Sequence, residues 1–338
     1  MLLRYKAFDL AFEYPFAISK GLKTHQPTLM LSLGMGRHTG YGEATQIGYY
    51  NADVAEMIVL LEKNKWNIER YALNGPERFW HFLHHLLPGQ NFLIAALDMA
   101  GWDLWAQLNN KPLYALIGLQ WKNIPLTDYT IGISTPEEIR ERVRQKPFPI
   151  YKLKVGSRED VSNLRALRAA TDATIRIDAN EGWTLEDAQH LLPILEELRV
   201  ELIEQPLHRN DIAGLQQLKG LTNIPIIADE ACREDKDAEK CLKLYDGINI
   251  KLAKCGGITP AINMLRAAKT ARKKVMLGGM CESTIGATAL AHLLPLADYA
   301  DIDGPLLLAR NPGAGLVYDG AAISLPARNG IGAEVVLS

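Results

Sequence analysis

The chain has 338 residues, of which 48% are apolar, 22% charged and 7% aromatic, the usage of an ordinary folded protein rather than a disordered or low-complexity one. Its 37 Lys+Arg against 39 Asp+Glu leave a net charge of -2, so there is no basic footprint for a nucleic-acid backbone or an anionic membrane. Apolar runs such as residues 224–228 fall far short of the ~18 residues of a membrane span, and Arg4, Lys6, Asp9 and Glu13 interrupt the N-terminal segment where a secretory signal would be continuous.

The first forty-odd residues alternate apolar and polar positions (Phe8, Leu10, Phe12; Leu29, Leu31, Leu33), which predicts a half-buried antiparallel sheet joined by hairpins. Residues 51–65 and 91–108 read as helices, the second with Leu93, Leu97, Gly101, Leu104 and Leu108 on one face. Residues 1–122 are therefore expected to form a small α+β domain.

From Pro125 the texture changes to short β-rich runs separated by helical stretches: LTDYTIGI, PIYKLKVG, ATIRIDAN, VELIEQP, IPIIADE, DGINIKLAK, KVMLGGM and DYADIDGP. Strand and helix alternating in this way predict a parallel sheet, and eight such units predict a closed barrel. Polar residues at the strand ends (154, 178, 204, 229, 251, 278 and 301) recur at roughly 25-residue spacing, one βα unit each. Residues 123–308 are short for a barrel of ~250 residues, so the last helix is expected to be missing. Residues 309–338, rich in Gly and Pro with short strand-like runs, are expected to pack back on the first domain.

Active sites of such barrels lie at the C-terminal ends of the strands. There the second strand offers Lys152 and Lys154 on one face, since strand side chains alternate. The third, fourth and fifth strands end in Asp178, Glu204 and Asp229. Any one of these would pass for a helix cap or a solvated loop carboxylate, but three converging carboxylates repel each other and need a cation. Hard oxygen ligands suit Mg²⁺ better than zinc, which recruits His or Cys. The sixth strand adds Lys251 across the mouth from Lys154, so that two lysines flank the metal as a base and acid pair. Lys152 and the cation both disfavour the charged form of Lys154, as proton removal requires. The eighth strand ends in Asp301 and Asp303, a pair suited to a substrate ammonium group, or to capping the turn at Gly304-Pro305.

These residues resemble the enolase superfamily, in its muconate-lactonising branch, and within it the dipeptide epimerases. The resemblance runs over essentially the whole chain: GYGEA at 40–44, ALDMAGWDLWAQ, KPLYALIG, YKLKVG, RIDANEGW, LIEQP, ADE, INIKLAKCGG and DIDGP. It implies an α/β fold, a (β/α)7β TIM-like barrel under an α+β capping domain built from the N-terminal region and the C-terminal tail. It further implies that Asp178, Glu204 and Asp229 hold one Mg²⁺, and that Lys154 and Lys251 work from opposite faces of the substrate α-carbon. Lys152 would tune Lys154 and touch the substrate. Removal of the weakly acidic α-proton would give an enediolate beside the metal, and return of a proton from the other lysine would invert the centre. Asp301 and Asp303 would take the N-terminal ammonium of a dipeptide.

In Ala-Glu-specific relatives an arginine in the first-domain loop receives the glutamate side chain. The corresponding stretch here, residues 17–23, has no arginine, only Lys20, Leu22 and Lys23 among its larger side chains besides Ile18. Lys20 and Leu22 are expected to contact the substrate, with Lys20 or Lys23 able to substitute for the arginine, but lysine is a flexible point charge rather than a planar fork, so an Ala-X substrate with a neutral, small or apolar X is expected. Gly279, Met280, Cys281, Glu282 and Ser283, after the seventh strand, are expected to line the pocket, with packing an equal reading for the Met and Cys.

Other readings stay open at this level. An o-succinylbenzoate synthase, a muconate cycloisomerase or an N-acylamino acid racemase would use the same metal and lysines on a substrate without a free amine, and a non-catalytic barrel would serve only to bind. Gly34-x-Gly36 and Gly40-x-Gly42 do not complete a nucleotide-binding fingerprint, and no P-loop, HExxH or GxSxG occurs. The cysteines at 232, 241, 255 and 281 form no Cys-x-x-Cys, which points to free thiols in a reducing cytoplasm. The expected partner is a small-molecule dipeptide, not nucleic acid or membrane, and a homo-oligomer is compatible with the sequence.

Overall fold

A computed structural model describes residues 1–337. Strands β1 (Leu2–Ile18), β2 (Gly21–Met35) and β3 (His38–Thr45) form the expected antiparallel sheet. Helices Val54–Arg70, Pro76–Leu86 and Asn91–Leu108 pack on it. The first begins later than its apolar pattern predicts, because the Asp53 side chain accepts from the Glu56 amide and sets the N-cap. The helix Asn91–Leu108 is buried nearly all round: one side meets the sheet and the other meets the barrel. Its contact with β3 requires Gly42, where a Cβ would sit 1.9 Å from the Ala96 carbonyl oxygen.

Eight parallel strands follow: β4 (Tyr129–Ile131), β5 (Ile150–Lys154), β6 (Thr174–Asp178), β7 (Val200–Glu204), β8 (Ile226–Ala228), β9 (Gly247–Ile250), β10 (Lys274–Gly278) and β11 (Tyr299–Asp301). They neighbour one another in chain order, and a parallel bridge from Thr127 to Ala300 joins the two ends, so the sheet is a nearly closed barrel. Alternation sorts the side chains. Tyr151, Leu153, Ile175, Ile177, Ile248 and Ile250 join the large core between strands and outer helices. Leu202, Ile227 and Met276 form a separate small cluster inside the ring, on whose upper side the polar residues stand.

Two boundaries differ from the sequence pattern. The run DGINIKLAK is not one strand: β9 stops at Ile250, Lys251 caps a short helix Leu252–Cys255, and Gly256 ends it with φ 93°. The tail binds both halves of the molecule rather than the first domain alone. Its Gly330 amide donates to Lys111 and its Ile331 amide to Asp103, while Thr127 donates to Ala321 and Leu316 donates to the Thr288 hydroxyl on the barrel. After β11 only the four-residue turn Gly304–Leu307 stands where an eighth helix would be. Among the described residues no helix is long and apolar enough to cross a membrane.

Candidate active site

The polar ends of β5 to β9 meet at one mouth. Lys152 and Lys154 point inward from β5, followed around the ring by Asp178 (β6), Glu204 (β7), Asp229 just after β8 and Lys251 just after β9. Ligand atoms of Asp178, Glu204 and Asp229 all lie within 4.8 Å of one another, and the three residues are buried. Lys154 Nζ sits 2.5 Å from Asp178 Oδ2, and Lys251 Nζ sits 2.9 Å from Asp229 Oδ2. Lys152 Nζ lies between the carboxylates, 2.6 Å from Glu204, 2.6 Å from Asp301 and 3.3 Å from Asp178.

Non-glycine residues with left-handed backbone follow three of the barrel strands: Asn180 (φ 44°) after β6, Gln205 (φ 37°) after β7 and Cys281 (φ 62°) after β10. Such conformations cost energy and are held by the surroundings. Here they turn side chains to work on the neighbours. Gln205 Oε1 accepts from the amides of Asp229 (3.0 Å) and Ala231 (3.1 Å), and Asn180 Nδ2 donates to Asp178 Oδ2 at 3.3 Å and to Glu230 Oε1 at 3.2 Å.

The electrostatics follow from burial and crowding. Burial works to raise Asp178, but the Lys154 and Lys152 ammonium groups outweigh it and hold the carboxyl down at about 2. Burial, with Asp178 as like-charged neighbour, pushes Glu204 up to about 7 despite Lys152. Burial disfavours the Lys152 and Lys251 ammonium groups; the surrounding carboxylates, Asp301 for Lys152 and Asp229 for Lys251 foremost, overcome it and raise both above the usual lysine range. Glu204 Oε2 makes no hydrogen bond of good geometry even though Lys152 is close. A buried trio of hard oxygen donors containing such an orphan fits a divalent cation.

On the opposite arc, Asp301 and Asp303 face the same cavity as Lys154 and Lys251. Asp303 Oδ2 accepts from the Thr130 amide at 2.5 Å, and burial and Asp301 push the Asp303 carboxyl up to about 6. Asp128, below β4, completes a second buried carboxylate trio with them, and Arg176 Nη1 binds it at 3.0 Å.

The remaining sequence candidates divide. Gly279, Met280 and Cys281 line the cavity, as do Phe16, Ile18, Ile47 and Leu307, which make it largely apolar. Glu282 turns back to accept from the Met280 amide, and Ser283 is held away by Glu43, whose carboxylate takes its amide at 2.9 Å and its hydroxyl at 2.7 Å. Neither lines the cavity. Lys20 is spent on Glu181 (2.8 Å) and Glu230 (3.2 Å), and Leu22 is 66% exposed on the hairpin turn. It is Lys23 that reaches the cavity, its Nζ donating to Gln26 Oε1 at 3.0 Å and burial lowering it from the ordinary lysine value.

Sequence reasoning did not single out Lys254, although Lys251-x-x-Lys254 spacing is visible. Its buried ammonium donates to the Asp229 carboxylate, to the Asp229 carbonyl (2.6 Å), to Cys232 O (3.1 Å) and to Asn249 O (3.2 Å). Asn249 in turn donates to Glu204 Oε1 at 2.7 Å.

Comparison with known proteins accords with this geometry. Residues 7–118 match the N-terminal domain of the mandelate racemase / muconate lactonizing enzyme family, and residues 134–337 match the enolase C-terminal domain-like family. The chain is 42% identical over 333 residues to an L-Ala-D/L-amino acid epimerase of a Maribacter species, covering 98% of each chain. It is 35% identical over 340 residues to a hydrophobic dipeptide epimerase of Roseobacter litoralis, covering 97% of this chain and 96% of the other. The dipeptide epimerase of Cytophaga hutchinsonii, solved with Mg and D-Ala-L-Val, superposes with a TM-score of 0.92 at 31% identity, covering 99% of this chain and 95% of that one.

Proposed function

Because this chain belongs to the mandelate racemase / muconate lactonizing enzyme family, we propose that its barrel mouth epimerises dipeptides of the Ala-X type, X being neutral, small or apolar. It is an isomerase of the enolase superfamily whose relatives carry the names of dipeptide epimerases. The observation that carries the reading is the order of side chains around the ring. Strands β5 and β9 are four places apart in a ring of eight, so Lys154 and Lys251 face each other across the mouth. On the crossing axis, the carboxylates of β6 to β8 oppose Asp301 and Asp303 at β11.

A dipeptide lies along that second axis. Its ammonium pairs with Asp301 and Asp303, its C-terminal carboxylate points to Asp178, Glu204 and Asp229, and the α-carbon of X falls between the lysines. Asp178, Glu204 and Asp229 would hold Mg²⁺. Bound there, it would supply positive charge to the substrate carboxylate as negative charge builds on it. Lys154 takes the α-proton from one face of one isomer, and Lys251 delivers a proton to the other face; for the opposite isomer the roles exchange. Lys152, pinned between Glu204 and Asp301, keeps a positive charge beside the carboxylates and orients both halves of the site. The apolar walls from Phe16, Ile18, Ile47 and Leu307 exclude water and receive the side chain of X.

The test is incubation with Ala-Ala, Ala-Val and N-acetylated Ala-Val in D₂O, followed by NMR, with and without a chelator. Loss of the α-proton signal of X in the free dipeptides, stopped by chelation, is expected. Exchange indifferent to chelator, or faster on the acetylated compound, would overturn the reading.

A further inference from the structure

Positive charge gathers at the end of the barrel away from the mouth. Residues 266–274 hold Arg266, Lys269, Arg272, Lys273 and Lys274 and no carboxylate, in a chain whose net charge is -2. They close the helix Ile258–Thr270 and open β10 at Lys274. The proposed catalytic groups stand at the other ends of the strands, so this face shares no residue with them.

Four of these cations, Lys269, Arg272, Lys273 and Lys274, border a cavity of about 350 Å³ whose remaining wall is apolar except for Asp298. Both oxygens of Asp298 are taken, Oδ1 by Lys274 Nζ at 2.7 Å and Oδ2 by the Val275 amide at 2.9 Å. The Lys273 ammonium donates to the Tyr245 carbonyl at 2.8 Å, which fixes its place without cancelling its charge. Lys269 and Arg272 meet no carboxylate among the described residues. With Lys274 matched by Asp298, the charges of Lys269, Arg272 and Lys273 stand uncompensated in the wall.

A cation complements the carbonyl end of a helix, and Lys269 in the last turn already serves that end. Arg272 needs a different explanation. Its amide donates to the Lys269 carbonyl at 3.1 Å and the Lys273 amide to the Ala268 carbonyl at 3.0 Å, the closure that leads a chain out of a helix through one left-handed residue. Arg272 is that residue, with φ 53°, in the place that glycine fills at least cost. Arg199 (φ 56°), in the same position after the helix Leu185–Glu197, meets Asp172 at 3.5 Å. Arg272 bears the strain with no such partner, and strain of this kind persists where the side chain has a task.

We propose that this cleft binds a short polyphosphate chain, free or carried by a nucleoside, with Arg272, Lys269 and Lys273 as its cations. A guanidinium offers forked donors that match phosphate oxygens in pairs, and ammonium groups beside it add point charges. A singly charged anion would leave most of that charge unmatched. The volume is that of a small-molecule site, and the bounded shape does not suit a duplex backbone, whose charges recur every ~1.7 Å along its length. The site stands apart from the proposed epimerisation and does not rest on it.

The experiment titrates the full chain with tripolyphosphate, ATP, AMP and sulfate by calorimetry at about 0.1 M salt. Tripolyphosphate and ATP should bind about tenfold or more tightly than AMP and sulfate. ATP ahead of tripolyphosphate identifies a nucleotide, and the two equal, or the reverse order, identifies the bare chain. The double variant Lys269→Gln, Arg272→Gln should lose about tenfold in affinity. Lys63→Gln with Lys122→Gln, exposed lysines elsewhere whose removal changes the net charge equally, should bind as the wild type does. Arg272→Gly gives the helix end its preferred residue, so it should raise the urea midpoint while weakening binding. Polyphosphates no tighter than sulfate, or an equal loss in both double variants, would overturn the site. A duplex oligonucleotide or acidic peptide that displaces tripolyphosphate at lower concentration would overturn it in favour of a macromolecule, and a urea midpoint not raised by Arg272→Gly would overturn the argument from strain.

Discussion

Lys154 and Lys251 are held by different members of one carboxylate trio, Asp178 at 2.5 Å and Asp229 at 2.9 Å, on strands that oppose each other across the barrel. Each lysine therefore commands one face of whatever lies between them. Lys154→Ala and Lys251→Ala should each lower epimerisation by about 10²- to 10⁴-fold, the usual worth of a positioned acid or base. Each variant should keep solvent exchange of the α-proton for one isomer of X only, and the spared isomers should be opposite. Deuterium wash-in on both isomers of Ala-Val checks this; variants that spare the same isomer would place the lysines on one face.

The cavity walls decide the second residue of the substrate. Phe16, Ile18, Ile47 and Leu307 line the cavity to which the proposed reading assigns X, and of the two hairpin lysines it is Lys23 that reaches it, while Lys20 is committed to Glu181 and Glu230. Ala-Val should exceed Ala-Glu in kcat/KM. Lys23→Met should widen that ratio by about tenfold, the scale on which pocket contacts discriminate. Lys20→Met should leave the ratio unchanged, because its loss takes an ammonium from Glu181 and Glu230, which keep Arg209 and Asn180 as partners, without opening the pocket. A shift in the ratio from the Lys20 variant and none from the Lys23 variant would reverse the assignment.

The barrel and its lysines and carboxylates are readable because each βα unit repeats and strand side chains alternate: Lys152 and Lys154, two apart on β5, had to share a face. What the pattern hides is pairing between distant segments. Lys254 looks like one more strand residue in NIKLAK, yet the chain turns helical at Leu252 and carries its ammonium back to Asp229. Asp128 reads as a polar interruption of an apolar strand until Arg176 from β6 is seen to bind it. Lys20 and Lys23 are indistinguishable in sequence, since only the twist of the β1–β2 hairpin directs the first to Glu181 and the second into the cavity. Glu43 and Asp98 are further instances, being first-domain carboxylates whose partners are the N-termini of barrel helices.

Asp98 offers a measure of that interdomain capping. From the helix Asn91–Leu108 it accepts the Thr259 amide at 3.0 Å and the Thr259 hydroxyl at 2.8 Å, capping the helix Ile258–Thr270 that follows the Lys251 loop. The approach is so close that a Cβ at Gly257 would stand 2.3 Å from Asp98 Oδ2. Asp98→Ala removes the cap and strands buried amides, and should cost about 2–4 kcal/mol of stability. Urea unfolding with Thr259→Ala as the milder companion tests it; a loss below ~1 kcal/mol for Asp98→Ala would mean that water replaces the carboxylate without cost.

His292 ties the C-terminal tail to the barrel in a way that depends on pH. Its Nδ1 accepts from the Tyr114 amide at 3.1 Å and its Nε2 lies 3.0 Å from the Ile331 carbonyl oxygen, which fixes the neutral ring with hydrogen on Nε2. A second ring proton would meet the Tyr114 N–H head on. Burial, only partly offset by the bond to Ile331, lowers the folded-state value to about 4 from 6.5. Between those limits the unfolded chain binds a proton that the folded chain refuses, so each step toward acid favours unfolding. The contribution, about 3 kcal/mol at most, is fully present above pH 6.5 and is lost as pH falls through 4. Carboxyl groups such as Asp103, pushed up from 3.8 to about 7 by burial, act in the opposite direction over the whole of this range, so the wild-type curve alone does not isolate the histidine. The difference between wild type and His292→Gln does. Unfolding midpoints of the wild type should fall more steeply than those of the variant between pH 6.5 and pH 4, and parallel curves would mean that the ring is protonated in the folded protein.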